Sequence, residues 1–261
     1  MTILGVSCLA GFDLRKHGAE ASNEIDLSLS VTRKTLHLGE ILSIESRITN
    51  NASVPVYLEG DSDYAIAIKI APKEDKDYKR YVPEGPEFSQ EAYMDTKINP
   101  REAFDRQITV LWNNSPKVSH LNADAAKPET EGRILSDYAF PEVGTYFVKA
   151  VSSVMKNGKP VLLESEPIQI TVTEPQGEDL EIWSKIKNNG EFAHFLQYGD
   201  ITRGYKKPEV RAQLQQEVEG ILNKYPNSFY AEPLRQSLGR FHANEAKRKE
   251  FLQKMQKQKP Q

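Results

Sequence analysis

The residues able to do chemistry are few and scattered. Five histidines, His17, His37, His120, His194 and His242, stand far apart, and none makes the i, i+4 pair by which one helix offers two imidazoles to a zinc ion. No metal and no other cofactor is expected. Glu59-Gly60-Asp61-Ser62-Asp63 gathers carboxylates on one stretch, but it lacks the full ligand run of a calcium loop and reads as a solvated turn. Glu164 and Glu166 would share one face of a strand and mimic an acid and base pair; flanked by Ser165 and Pro167, they read better as a soluble edge. There is no Gly-x-Ser-x-Gly nucleophile elbow and no phosphate-cradling glycine loop. The one cysteine, Cys8, lies in an N-terminal stretch where no base could be held against it. No catalytic residue is expected, and a divergent enzyme is the least favoured class.

Charge narrows the partners. The formal net charge is -3, with 19 basic against 26 acidic residues up to position 175 and 15 against 11 beyond it. The basic end, Lys247-Arg248-Lys249 with Lys254, Lys257 and Lys259, is interrupted by Glu245 and Glu250, the pattern of a solvated helix. Nucleic acid is not an expected partner. With a single cysteine no disulfide can form within the chain, so any fold must hold by packing.

Met1 to Ala10 is apolar but lacks a basic start and is too short for a complete signal peptide or a membrane span. If translation starts upstream, Val6-Ser7-Cys8 resembles the end of a bacterial lipoprotein signal, which implies a lipid on Cys8; Gly5 departs from the leucine usual there. Residues 11–24 then serve as a polar spacer. The expectation is an exported protein of the periplasm or cell surface, touching the membrane only through Cys8, with a cytoplasmic location left open.

The elements that would position a site divide into two kinds. Ile25, Leu27, Leu29 and Val31 alternate with polar residues, as do Leu42, Ile44, Ser46 and Ile48 after the turn at Leu38-Gly39-Glu40. Val54 to Leu58 is a short strand, Tyr64 to Ile70 another, and Phe104, Ile108, Val110 and Trp112 mark a further one. Gly144 to Ser152 follows, then Asn157-Gly158, which suits a type I′ hairpin turn, and a closing strand from Val161 to Val172 broken at Pro167. Two stretches, 73–101 and 113–137, are long insertions. The late Gly144 and Tyr146 resemble the tyrosine corner of immunoglobulin-like domains, which implies an antiparallel Ig-like β-sandwich over 25–173.

Beyond a linker at 174–179 the period changes to three and four. Leu180, Trp183 and Ile186, then Phe192, Phe195 and Leu196, mark two short helices separated at Asn188-Asn189-Gly190. A third helix follows Pro208 and ends at Tyr225-Pro226, a fourth runs through Leu234, Leu238 and Phe241, and a charged one passes Phe251, Leu252 and Met255. Residues 221–241, with Tyr225-Pro226-Asn227-Ser228, Ala231 and Leu238-Gly239 before Phe241, resemble the inter-helix segment of bacterial envelope tetratricopeptide repeats. That resemblance covers about 21 residues and implies a protein-interaction role for a small helical domain over 180–258.

The fold expected is thus a β-sandwich followed by a helical bundle, and the function expected is binding or scaffolding in the bacterial envelope, with another protein or a surface polymer as partner. An accessory domain or inhibitor of a hydrolase is the alternative. The aromatics of the first insertion, Tyr78, Tyr81, Phe88 and Tyr93, are the candidate partner-binding residues, because loops at a sandwich rim carry recognition; the competing expectation is that they fill a satellite core beneath the loop.

Overall fold

The computed structural model describes residues 24–58, 65–73, 76–81, 96–113, 137–200 and 208–257. Within them the strands precede all of the helices. The strands are β1 (Ile25–Val31), β2 (Thr35–His37), β3 (Leu42–Asn50), β4 (Val56–Leu58), β5 (Ile66–Pro72), β6 (Lys79–Arg80), β7 (Lys97–Ile98), β8 (Ala103–Val110), β9 (Trp112–Asn113), β10 (Asp137–Tyr138), β11 (Gly144–Lys156), β12 (Lys159–Glu164) and β13 (Ile168–Thr173). The helices are α1 (Glu178–Ile186), α2 (Gly190–Tyr198), α3 (Pro208–Lys224) and α4 (Ala231–Lys257).

Alternation sets the registers. In the three-stranded antiparallel sheet β1-β3-β8, Ile25, Leu27, Leu42, Ile44, Ile48, Ile108 and Val110 are buried, while Asp26, Ser28, Glu45, Arg47, Asp105 and Gln107 face outward. A one-residue slip would reverse both faces, so burial itself fixes the pairing of Leu27 with Ile48 and of Ile44 with Ile108. The larger sheet, eight strands with one parallel pair between β13 and β2, is organised around β11. One edge of β11 pairs with β13 over 144–148 and with β12 over 151–156; the other pairs with β5 over 146–152 and with β4 over 154–156.

Two local devices keep this sheet continuous. Pro167 has no N–H to give, and Ser165 bridges the gap: its N–H donates to the Ala150 carbonyl (3.0 Å) and its Oγ accepts from the Ala150 N–H (2.9 Å). At the β11–β12 turn, Asn157 and Gly158 hold φ of 51° and 73°, the pair of positive angles a type I′ turn requires. The Tyr146 hydroxyl donates to the Glu142 carbonyl (2.9 Å) and accepts from the Glu142 N–H (3.1 Å), closing the loop that leads into β11.

The helices pack directly on the sheets. Trp183 of α1 lies over Gly39, Trp112 of β9 lies against Gly190 of α2, and the Tyr230 hydroxyl donates to the Leu38 carbonyl (2.6 Å). Tyr138 stands edge-on between Trp112 and Trp183, with centroids 5.1 and 4.9 Å away, and donates to the Ile186 carbonyl (3.1 Å). Buried side chains of the two large sheets, of the antiparallel pair β9–β10 and of all four helices belong to one hydrophobic core. The Tyr225 to Ser228 segment between α3 and α4 faces α1: the Tyr225 hydroxyl bonds to Glu181, and the Ser228 hydroxyl to Asp179, which also accepts the Phe229 N–H (3.2 Å).

One expectation changes, and one strand is additional. The helix through Leu234 and the charged helix through Phe251 are one element, α4, about 40 Å long at 1.5 Å per residue. Nothing between Phe241 and Phe251 breaks a helix; Ala243, Ala246, Lys247 and Glu250 all favour one. Short β2 pairs in parallel with β13 and carries no alternation long enough to reveal itself.

Candidate binding face

Tyr81, one of the aromatics expected either to anchor a partner or to fill a core beneath the loop, stands in the core. It is 4% exposed and follows directly from β6, with its N–H on the Ile68 carbonyl (2.8 Å). Its hydroxyl accepts from Gln197 Nε2 (2.7 Å) and lies 3.4 Å from both the Thr109 carbonyl and the Leu111 N–H. Gln197, from α2, also accepts the Trp112 N–H (2.8 Å) and donates to the Thr109 carbonyl (3.0 Å). Tyr81 therefore joins sheet to helix and offers no area to a partner. Sequence reasoning missed Gln197, because a lone polar residue on an apolar helix carries no sign of the strand groups it will meet.

Burial pushes the Tyr81 hydroxyl from its ordinary 10.0 up to about 12. A phenol kept neutral by folding contributes stability that is whole below pH 10 and is lost as pH rises towards 12, since the unfolded chain ionises first. The urea midpoint is expected to fall between pH 10 and 12, and to fall less in Tyr81→Phe. An equal fall in both proteins would remove Tyr81 as the cause.

Tyr78 takes a different place. It is half-buried on the outward face of the larger sheet, with the Lys149 ammonium 4.1 Å from its ring centroid. Along β11 the outward side chains are Phe147, Lys149, Val151, Ser153 and Met155, all partly exposed, because every intervening residue is buried. Phe147 and Met155 are eight residues apart, about 26 Å at 3.3 Å per residue. Met155 is opposite Tyr57 of β4, and Ser153 is opposite Leu162 of β12. Tyr57 is 37% exposed and Leu162 is 74% exposed, so large apolar side chains flank β11 on both sides. A strand face of this kind can offer contact area and anchor positions to another chain.

Cations frame the apolar strip. Lys149 is opposite Lys69 of β5, Lys69 is opposite Arg80 of β6, and Lys97 of β7 is opposite Tyr57. Lys149 pairs with Glu164 (2.8 Å). Glu164 is thus an ion-pair partner on this face, and Glu166 lies beyond the end of β12.

The other sheet has a groove of about 480 Å³ on its outer face, bordered by Ser28, Ser30, Glu45, Arg47, Asp105 and Gln107. Its charges engage one another, Arg47 with Asp105 at 3.6 Å and the Ser30 hydroxyl with Glu45 at 3.4 Å, and no aromatic lines it. It is the weaker candidate.

Phe88, Tyr93, Cys8, His17, His120 and the Glu59 to Asp63 cluster lie outside the described residues. His37 stacks on Phe229 and meets the Thr173 hydroxyl (3.0 Å); His194 is buried, with Nδ1 2.9 Å from the Asp200 carbonyl; His242 is exposed. Among the described residues no three His, Cys, Asp or Glu side chains gather as a metal site, and no helix is long and apolar enough to cross a membrane.

Against known proteins, no family model matches the chain, and no curated protein matches it. Solved structures share only a loose likeness. A structural-genomics target is 10% identical over 57% of this chain and 88% of its own, with a TM-score of 0.32. The C-terminal domain of wzt is 10% identical over 59% and 75%, at 0.30. The sporulation control protein Spo0M of Bacillus subtilis is 13% identical over 64% and 55%, at 0.29. Likeness at that level transfers neither ligand nor activity to this chain.

Proposed function

We propose that this chain is a non-enzymatic binding or scaffold protein: an Ig-like β-sandwich, made rigid by helices packed on its end, that presents the outer face of its larger sheet to another protein. The observation that carries this reading is the exposed apolar strip across β4, β11 and β12, where Tyr57 and Leu162 stand in solvent beside half-buried Val151 and Met155. The Ig-like assignment draws support from the Tyr146 hydroxyl bonded to the backbone four residues upstream, as in a tyrosine corner, and from the antiparallel ladders on either side of β11. Leu162 at 74% exposure adds little to the core, and its place beside Val151, Met155 and Tyr57 on one face supports the reading of a partner surface.

Combining Tyr57→Asp with Leu162→Asp tests this. Both positions are exposed, so the melting temperature should move little. Quantitative affinity capture from extract of the source cells is expected to retain a stoichiometric partner on the natural chain and to lose most of it on the variant. Equal retention by a variant that melts normally would overturn the reading.

A further inference from the structure

The cation rows of the same face point to the chemistry of its partner. Lys149, Lys69 and Arg80 lie directly opposite one another across three adjacent strands, and like charges in register repel. Lys149 is relieved by Glu164 at 2.8 Å and by the Tyr78 ring at 4.1 Å. Lys69 and Arg80 make no ion pair among the described residues, and neither does Lys97 beside Tyr57. Among the described residues no acid offsets the charge at these positions, so an arriving anion would be favourable there. The chain as a whole carries a formal charge of -3, so an acidic partner is repelled by much of the protein and drawn to this face.

We infer that the face binds an extended acidic segment of another protein, with carboxylates over Lys69 and Arg80 at one end and over Lys97 at the other, and apolar side chains on the strip between. This rests on the outer face being the binding face. The seven residues of β11 from Lys149 to Met155 span about 20 Å, which an extended segment of about seven residues matches. Between the cation ends lie Val151, Met155 and Tyr57, with Leu162 on the far edge of β11, a strip that suits apolar side chains and offers a phosphate backbone nothing to pair with. That contrast selects an acidic protein segment over nucleic acid or another uniform polyanion.

The test uses the full chain and a fluorescent peptide with Asp-Glu at each end and Tyr-Leu-Thr-Leu between, followed by anisotropy. Binding that weakens as salt rises, and that falls at least about tenfold in the Lys69→Glu, Arg80→Glu double variant, is expected. A peptide with Lys in place of the acids should not bind. The inference is overturned if the natural chain ignores the acidic peptide, if the double variant binds it equally, or if inorganic polyphosphate binds as tightly with the same dependence on Lys69 and Arg80. If Tyr57→Asp with Leu162→Asp abolishes capture of the cellular partner while the charge reversal leaves it intact, the face stands and only its acidic specificity fails. If neither pair matters, both readings fall.

Discussion

Gly39→Ala is expected to lower the stability of the chain by about 2–5 kcal/mol, far more than a surface glycine substitution should. Gly39 has φ of 73°, a left-handed conformation that costs other residues about 1–2 kcal/mol. A Cβ there would also lie 2.6 Å from Trp183 Cζ3 and 2.7 Å from Cε3, with the Tyr230 hydroxyl at 3.2 Å. The Trp183 ring is buried and held edge-on by Tyr138, so it cannot swing aside without opening the junction; overpacking of that kind adds about 1–3 kcal/mol. Gly158 is the internal control, because its φ is also 73° and nothing lies within 4 Å of its Cβ position. Gly158→Ala should cost only the conformational part. Denaturant titration of the two variants separates the effects, and equal losses would mean that the Gly39 contact with Trp183 carries no weight.

The second large effect is at Gln197. Replacement by leucine keeps the volume but removes the acceptor for the Trp112 N–H and the donor to Tyr81 and to the Thr109 carbonyl. Leaving such buried groups unmatched costs about 1–3 kcal/mol each, so a loss of roughly 3 kcal/mol is expected, or a melting temperature lower by about 6–12 °C. Tyr81→Phe alone should cost less, and the double variant should lose less than the sum of the two, because both act on one network. Additive losses would show that the two side chains act independently. The helices and sheets join through this network and through Trp183, which is why unfolding should be a single transition rather than one for each part.

The longer strands were legible in the sequence because each had one wet face. Ile25 to Val31 and Leu42 to Asn50 alternate cleanly, and Asn157-Gly158 announces its turn by chemistry that few other pairs satisfy. The break at Pro167 was equally plain, although the repair by Ser165 was not, since a serine beside a proline carries no sign that its hydroxyl will replace a backbone acceptor. The binding face was legible only in part. Tyr78 and Tyr81 are three residues apart in a polar stretch and look alike, yet one covers Lys149 on the outside and the other is buried beneath the sheet; their environments depend on strands far along the chain. Tyr57 and Leu162 lie more than a hundred positions apart and become neighbours of one face only through β11. A single-sequence pattern reports local period, whereas this face is assembled by long-range pairing.

A partner on the outer face of the larger sheet would be detected most directly by cross-linking from that face. A photoactivatable side chain at position 162, and separately at position 45 on the outer face of the other sheet, would be introduced into the full chain in its own cells. Both positions are exposed, so both variants should fold. The expected result is a discrete covalent adduct from position 162 that an excess of the acidic peptide suppresses, with none from position 45. An adduct from position 45 and none from position 162 would contradict the account.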